Sequence, residues 1–122
     1  MLTSAAGKIY AARLPTNLTT RLIEQEWDAV FGGEVDVGKF REDAARELKR
    51  RGYMTIVRSD LAGYVSIAAP ILDWNGDVRF TLSLAGTRAT MKVEPSSDHV
   101  KALLASASSA TQALGGKAEG RN

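Results

Sequence analysis

Serine-based nucleophilic catalysis needs a base within hydrogen-bond reach of the hydroxyl. The chain has one histidine, His99. It is expected on a solvent-facing helix turn, one residue before the apolar Val100. The carboxylate pairs Glu24/Glu26 and Glu42/Asp43 read as helix surface charges. Asp73 and Asp77 flank a hairpin turn, where Asp is common for its own turn hydrogen bonds. None of these pairs has the buried setting that acid–base work requires. Gly32-Gly33 lacks the GK[ST] continuation of a phosphate-binding loop. There is no cysteine, hence no disulfide, no thiolate zinc site and no Cys nucleophile. A single histidine makes no His-rich metal site. No metal, cofactor or enzymatic activity is therefore expected. The feature with chemical capacity is the start of the first helix. Its unpaired N–H groups on Ala5, Ala6 and Gly7, with the helix dipole behind them, attract anions. The small side chains there let a ligand approach the backbone. An ordinary capped helix packed closely on a sheet is the plain alternative.

The chain of 122 residues corresponds to one domain. Hydrophobic residues at 44% and charged residues at 25% are close to the globular average. Sixteen Lys plus Arg against fourteen Asp plus Glu, a formal net charge of +2, is too even for an electrostatic nucleic-acid binder. Lys49, Arg50, Arg51 and Arg58 cluster locally, but they read as a charged helix end with Glu42–Arg46 and Glu47–Arg51 pairs. Trp27, Phe31 and Tyr53 read as core or interface residues, because no basic residues alternate with them. Trp74 at a hairpin tip suggests contact with another chain or domain. No apolar run approaches the length of a membrane span. The first residues lack the apolar core of a secretory signal. A soluble cytoplasmic domain is the expectation, without direct nucleic-acid or membrane binding.

The elements that would hold these residues read in order. Thr3 or Ser4 caps a helix from Ala5 to Leu14, which Pro15 stops. A second helix starts near Thr16 or Asn17, with Leu18, Leu22 and Ile23 on one face. Asp28 to Val35 reads as a loop because of the glycine pair. Asp36 caps a third helix that ends at Gly52, where a left-handed residue is wanted. Tyr53 to Arg58 is a strand, and Ser59 to Gly63 a turn. VSIAAPIL, the turn DWNGD and VRFTLSLAG form a hairpin, since Asn-Gly tolerates positive φ. Pro70 lacks an N–H and belongs at an edge or bulge. Val78, Phe80, Leu82 and Leu84 alternate with small or polar residues, which predicts one packed face. Ser96 or Ser97 caps a final helix with Val100, Leu103, Leu104, Ala107 and Leu114 on its apolar side. The pattern is an α+β domain, an antiparallel sheet flanked by helices, over residues 1–115, with 116–122 as a disordered tail.

Three strings carry a resemblance. TSAAGKIYAARLP resembles the segment (S/T)-A-x-G-K-A-x-L-A-x-L-P of the effector domain in IclR-type bacterial transcription regulators. The helix ending ELKRRGY is similar to that family's L-x-x-V/I-R-x-R-G-Y. GYVSIAAPILDWNGDVRFTLSLAG resembles the family's hairpin around A-A-P and S-V-S-G. All three occur in order, with the right spacing, over nearly the whole chain. The resemblance implies a GAF-like or profilin-like sheet, here incomplete. The chain matches roughly the last two-thirds of the effector domain, and the winged helix and first strands have no counterpart.

The resemblance also implies a small-molecule effector, a homodimer or tetramer, and DNA binding by a domain not in this chain. The effector would lie at the start of the G-K helix, against the hairpin. Ala5, Ala6, Ser66 and Ser83 are the expected ligand contacts. Ser66 stands where the family usually has Cys, and Ser83 matches the first Ser of S-V-S-G. Ala85 replaces the second Ser. Ile56 takes the place of an Asp that typically helps hold the effector. Ile56 and Ala85 would line the pocket without polar contacts, so a carboxylate or a larger, more apolar ligand is expected. A dimerisation domain with no ligand is the alternative.

Overall fold

The computed structural model describes residues 4–57 and 63–116. The Ser4 hydroxyl accepts the Gly7 N–H at 2.9 Å and caps α1, Ala5–Arg13. Pro15 separates it from α2, Thr16–Phe31. The expected loop from Asp28 begins later, because the helix continues to Phe31. Trp27 packs on Phe31 one turn on, with ring centroids 4.7 Å apart, and meets Phe40 of the next helix edge-on at 6.4 Å. Gly32, at φ 73°, then ends it. The expected α2 face is also split. Thr19 and Ile23 are buried against α1 and α3, while Leu18 and Leu22 are exposed. One residue of helix is a 100° rotation, enough to separate Leu22 from Ile23.

Asp36 accepts the Lys39 N–H and caps α3, Val37–Arg51, and Gly52 closes it at φ 81°. Three strands follow: β1 (Met54–Val57), β2 (Tyr64–Leu72) and β3 (Val78–Thr87). They form one antiparallel sheet in the order β1-β2-β3. Arg58, and the expected turn over 59–62, lie outside the described residues, as do Thr3 and 117–122. Asp73 builds the hairpin turn, accepting the N–H groups of Asn75 and Asp77 on one carboxylate oxygen. Pro70 lies in β2 beyond the reach of β1, which pairs only Val65 to Ala68, so the strand is a local edge there.

The period of two sorts the sheet into two buried faces. Met54 and Ala68 pack with Ala5, Ile9, Ala44 and Leu48 under α1 and α3. Val65, Ile67 and Ala69 pack on the other side with Val100, Leu103 and Ala107 of α4, Asp98–Ala113, which Ser97 caps. Each large side chain so buried contributes about 1.5–3 kcal/mol. The packed face expected for β3 is only partly realised. Ile71 pairs Phe80 and Leu72 pairs Val78, so Arg79 is an extra residue and Val78 turns to the α1 side. Phe80 and Leu84 remain exposed, because α4 covers mainly β2. Leu114 is exposed too, beyond the last turn of α4. Gly115 bridges back to Asp73. At Gly116 a Cβ would lie 2.6 Å from the Asp73 carbonyl oxygen, so only glycine permits that approach.

Candidate functional site

The N-terminal turn of α1 rests on the face of the sheet that carries Met54 and Ala68. Ala5 is buried and Ala6 half-buried there, with Ile56 packed against the same cluster. Register places Ile56, Ser66 and Ala85 in one row across the three strands. Ala68 and Ser83 form the next row with Met54, on the same face. All six residues singled out from the sequence therefore share one side of the sheet.

Their exposure differs. Ser66 sits on the central strand with 5% of its surface exposed, whereas Ser83 and Ala85 lie on β3 and are exposed. The Ser66 hydroxyl oxygen is buried and has no hydrogen-bond partner. Leaving a buried hydroxyl unmatched costs about 1–3 kcal/mol. Neither neighbour in its row, Ile56 nor Ala85, has a side chain able to satisfy it. The row offers one donor in an otherwise apolar surface, with the Ala5 and Ala6 N–H groups of α1 on the same side; the Gly7 N–H, expected to be free with them, is taken by the Ser4 hydroxyl that caps the helix.

Around this row the helices are fastened by charge. Lys8 of α1 lies 3.7 Å from Glu47 of α3. Glu47, expected to pair with Arg51, thus serves α1 instead, and Arg51 sits 5.2 Å from the Tyr53 ring centroid. Arg46 pairs with Glu42 at 3.6 Å and with Asp43 at 3.4 Å. Arg41 donates to the Leu14 carbonyl at 2.7 Å and to the Thr19 hydroxyl. Sequence reasoning missed Arg41, since its partners lie across a tertiary contact. His99 is exposed, as expected, and so is Trp74, at 75%. Among the described residues, no group of three or more His, Cys, Asp or Glu is placed to hold a metal, and no helix is long and apolar enough to cross a membrane.

A cavity of about 260 Å³ opens on the opposite, α4 side of the sheet. Val57, Val65, Met91 and Val93 line it, with Arg88, Lys92 and Glu94. No sequence pattern signals it, because it forms where the end of β1 meets the β3–α4 connection.

Four helices against one three-stranded antiparallel sheet define an α+β domain. The family described as bacterial transcriptional regulator IclR C-terminal matches residues 1–112, and the chain belongs to it. Among solved structures, Pseudomonas aeruginosa HmgR is similar with a TM-score of 0.79 at 23% identity, over 94% of this chain and 45% of that one. The Agobacterium tumefaciens repressor BlcR gives 0.66 at 20% identity, over 94% and 46%. The C-terminal domain of the E. coli transcriptional regulator KdgR gives 0.67 at 18% identity, over 93% and 70%. The chain thus spans less than half the length of the first of these structures. No curated protein matches its sequence.

Proposed function

We propose that this chain is the ligand-sensing and oligomerisation module of an IclR-type transcriptional regulator. A small metabolite, a carboxylate or a more apolar molecule, binds between the start of α1 and the row Ile56–Ser66–Ala85, with Ser83 beside it. The observation that carries this reading is the buried, unpartnered Ser66 hydroxyl on the face that α1 covers. A ligand acceptor there recovers the hydrogen bond the fold leaves unmade. The α1 N–H groups on Ala5 and Ala6 attract its negative end. Ile56 removes a polar contact and favours an apolar body. The ligand would act by binding one arrangement of the assembled regulator better than another, and so change the spacing of DNA-binding domains outside this chain.

A second reading, a dimerisation domain with no ligand, draws on the exposed apolar residues of β3. Thermal unfolding with a panel of small aliphatic and aromatic carboxylates separates the two. Ligand at a hundred times its dissociation constant adds about 2.7 kcal/mol, which moves the midpoint of a domain this size by several degrees. One compound should do this. A cooperative transition that no compound moves would overturn the sensing reading and leave the dimerisation one.

A further inference from the structure

The groups proposed to hold an effector lie on the α1 side of the sheet, and the cavity of about 260 Å³ lies on the other. Register gives it a floor. Val57, Val65 and Gly86 form one row across the three strands. Val65 turns to the α4 side with Ile67 and Ala69, and so does Val57 beside it. α4 packs on β2 and β3 but not on β1, so the helix does not roof the β1 end of this row. Over Gly86 the buried Met91 comes down onto the backbone, since a Cβ there would stand 3.4 Å from the Met91 Cβ. The space beside Met91, over Val57 and Val65, is the cavity. Among the described residues, none of β3 lines it.

The wall formed by the β3–α4 connection is fastened at four points. Arg88 donates its N–H to the Gly63 carbonyl at 2.8 Å, and Met91 donates its N–H to the Thr87 carbonyl at 2.8 Å. The Lys92 carbonyl accepts the Ser97 hydroxyl at 2.9 Å. The Val93 carbonyl accepts the Tyr53 hydroxyl at 2.7 Å. The wall is thus set before a ligand arrives, which lowers the ordering cost of binding.

The lining divides by chemistry. Val57, Val65, Met91 and Val93 are apolar, while Arg88, Lys92 and Glu94 are charged and exposed. Arg88 and Lys92 make no ion pair among the described residues. Two cations against one carboxylate leave one positive charge in excess. That balance suits a monoanion and disfavours a phosphate dianion beside Glu94. A guanidinium fork matches a planar carboxylate. The volume falls just under the range of about 300–1,000 Å³ usual for small-molecule sites, so the body of the ligand must be short.

We propose that this cavity is a second small-molecule site, separate from the α1 face, for a monocarboxylate with a short apolar body. The body rests on Val57, Val65 and Met91, and the carboxylate meets Arg88 and Lys92. The site does not depend on Ser66 or on the start of α1.

The chain carries its own reporters. It has three methionines. Met91 lines the cavity, and Met54 packs on the opposite face under α1. Methyl-¹³C methionine spectra of the full chain, titrated with isovalerate and with phenylacetate, should show the Met91 methyl moving saturably at millimolar concentrations. Met91→Leu and Met54→Leu assign the two signals. Isovaleramide and phenylacetamide, uncharged and of the same shape, should bind about tenfold more weakly. Arg88→Gln/Lys92→Gln should weaken both acids about tenfold, and Glu94→Gln should tighten them two- to threefold, roughly the effect of one exposed charge. These are exposed positions, so all the variants should melt as the wild type does. A Met91 signal that neither acid moves would overturn the proposal and leave the α1-face reading standing. Movement of Met54 alone would place the ligand under α1 and overturn it equally. Amides that bind as well as the acids, or a double glutamine variant that binds them unchanged, would overturn the assignment of a carboxylate to this site.

Discussion

Leu72 in β2 donates its N–H to the Thr111 hydroxyl oxygen of α4 at 3.1 Å, and both residues are buried. This contact fastens the last turn of α4 beside the hairpin, where β1 no longer covers β2. Thr111→Val keeps the shape but removes the acceptor, leaving the Leu72 N–H orphaned. The expected cost is about 1–3 kcal/mol. Thr111→Ser keeps the oxygen and should lose less. Urea unfolding of the two variants checks the order.

Tyr53 donates its hydroxyl to the Val93 carbonyl at 2.7 Å. Burial raises its pKa above the ordinary value of about 10, against the pull of the Arg51 guanidinium, with Glu94 and Glu47 adding to the rise. The fold therefore favours the neutral phenol. That contribution is fully present below pH ~10 and is lost as pH rises through the folded pKa. The thermal midpoint should fall more steeply above pH ~10 in the wild-type chain than in Tyr53→Phe. At neutral pH the same substitution should cost about 1 kcal/mol for the lost hydrogen bond. Melts from pH 7 to pH 11 test both effects.

Ser66→Ala separates a ligand contact from a structural hydroxyl. Since the Ser66 oxygen has no partner, its removal should leave the ligand-free chain as stable as the wild type or up to about 1 kcal/mol more stable. The stabilisation by whichever carboxylate shifts the wild-type melt should shrink or vanish. A variant clearly less stable without ligand would point to a structural role instead.

Arg41 ties α3 to the junction between α1 and α2 through the Leu14 carbonyl and the Thr19 hydroxyl. Charge-assisted hydrogen bonds of this kind contribute about 1.5–3 kcal/mol each. Arg41→Leu should lower the urea midpoint by an amount equivalent to about 2 kcal/mol. Arg41→Lys should recover only part of it, because an ammonium cannot fork to two acceptors as a guanidinium does.

Local chemistry explains which parts of the fold were legible in the sequence. Ser4, Pro15, Asp36 and Gly52 delimit helices through their own backbone and side-chain preferences, and each acts where it was expected to. Asp73 and Gly76 do the same for the hairpin, whereas Asn75 does not take the positive φ expected of it, because the turn closes from the Gly76 N–H to the Asp73 carbonyl with Trp74 and Asn75 at its centre. The end of α2 was not legible, because Trp27, Phe31 and Phe40 meet across two helices and outweigh the glycine pair until Gly32. The α1-facing side of Val78 was also hidden, since a bulge at Arg79 has no alternation signature. At the candidate site, the common face of Ser66, Ser83 and Ala85 follows from strand period and register. What period cannot convey is depth: Ser66 is buried on the central strand and Ser83 exposed on the outer one.

Arg13, in the last turn of α1, donates to the Gly76 carbonyl of the hairpin turn at 2.7 Å. Nine residues of helix, about 13 Å, thus connect the Ala5 end to that turn. In mechanical terms α1 is a strut with one foot on the sheet face that carries Met54 and Ala68 and the other on the turn that carries the exposed Trp74.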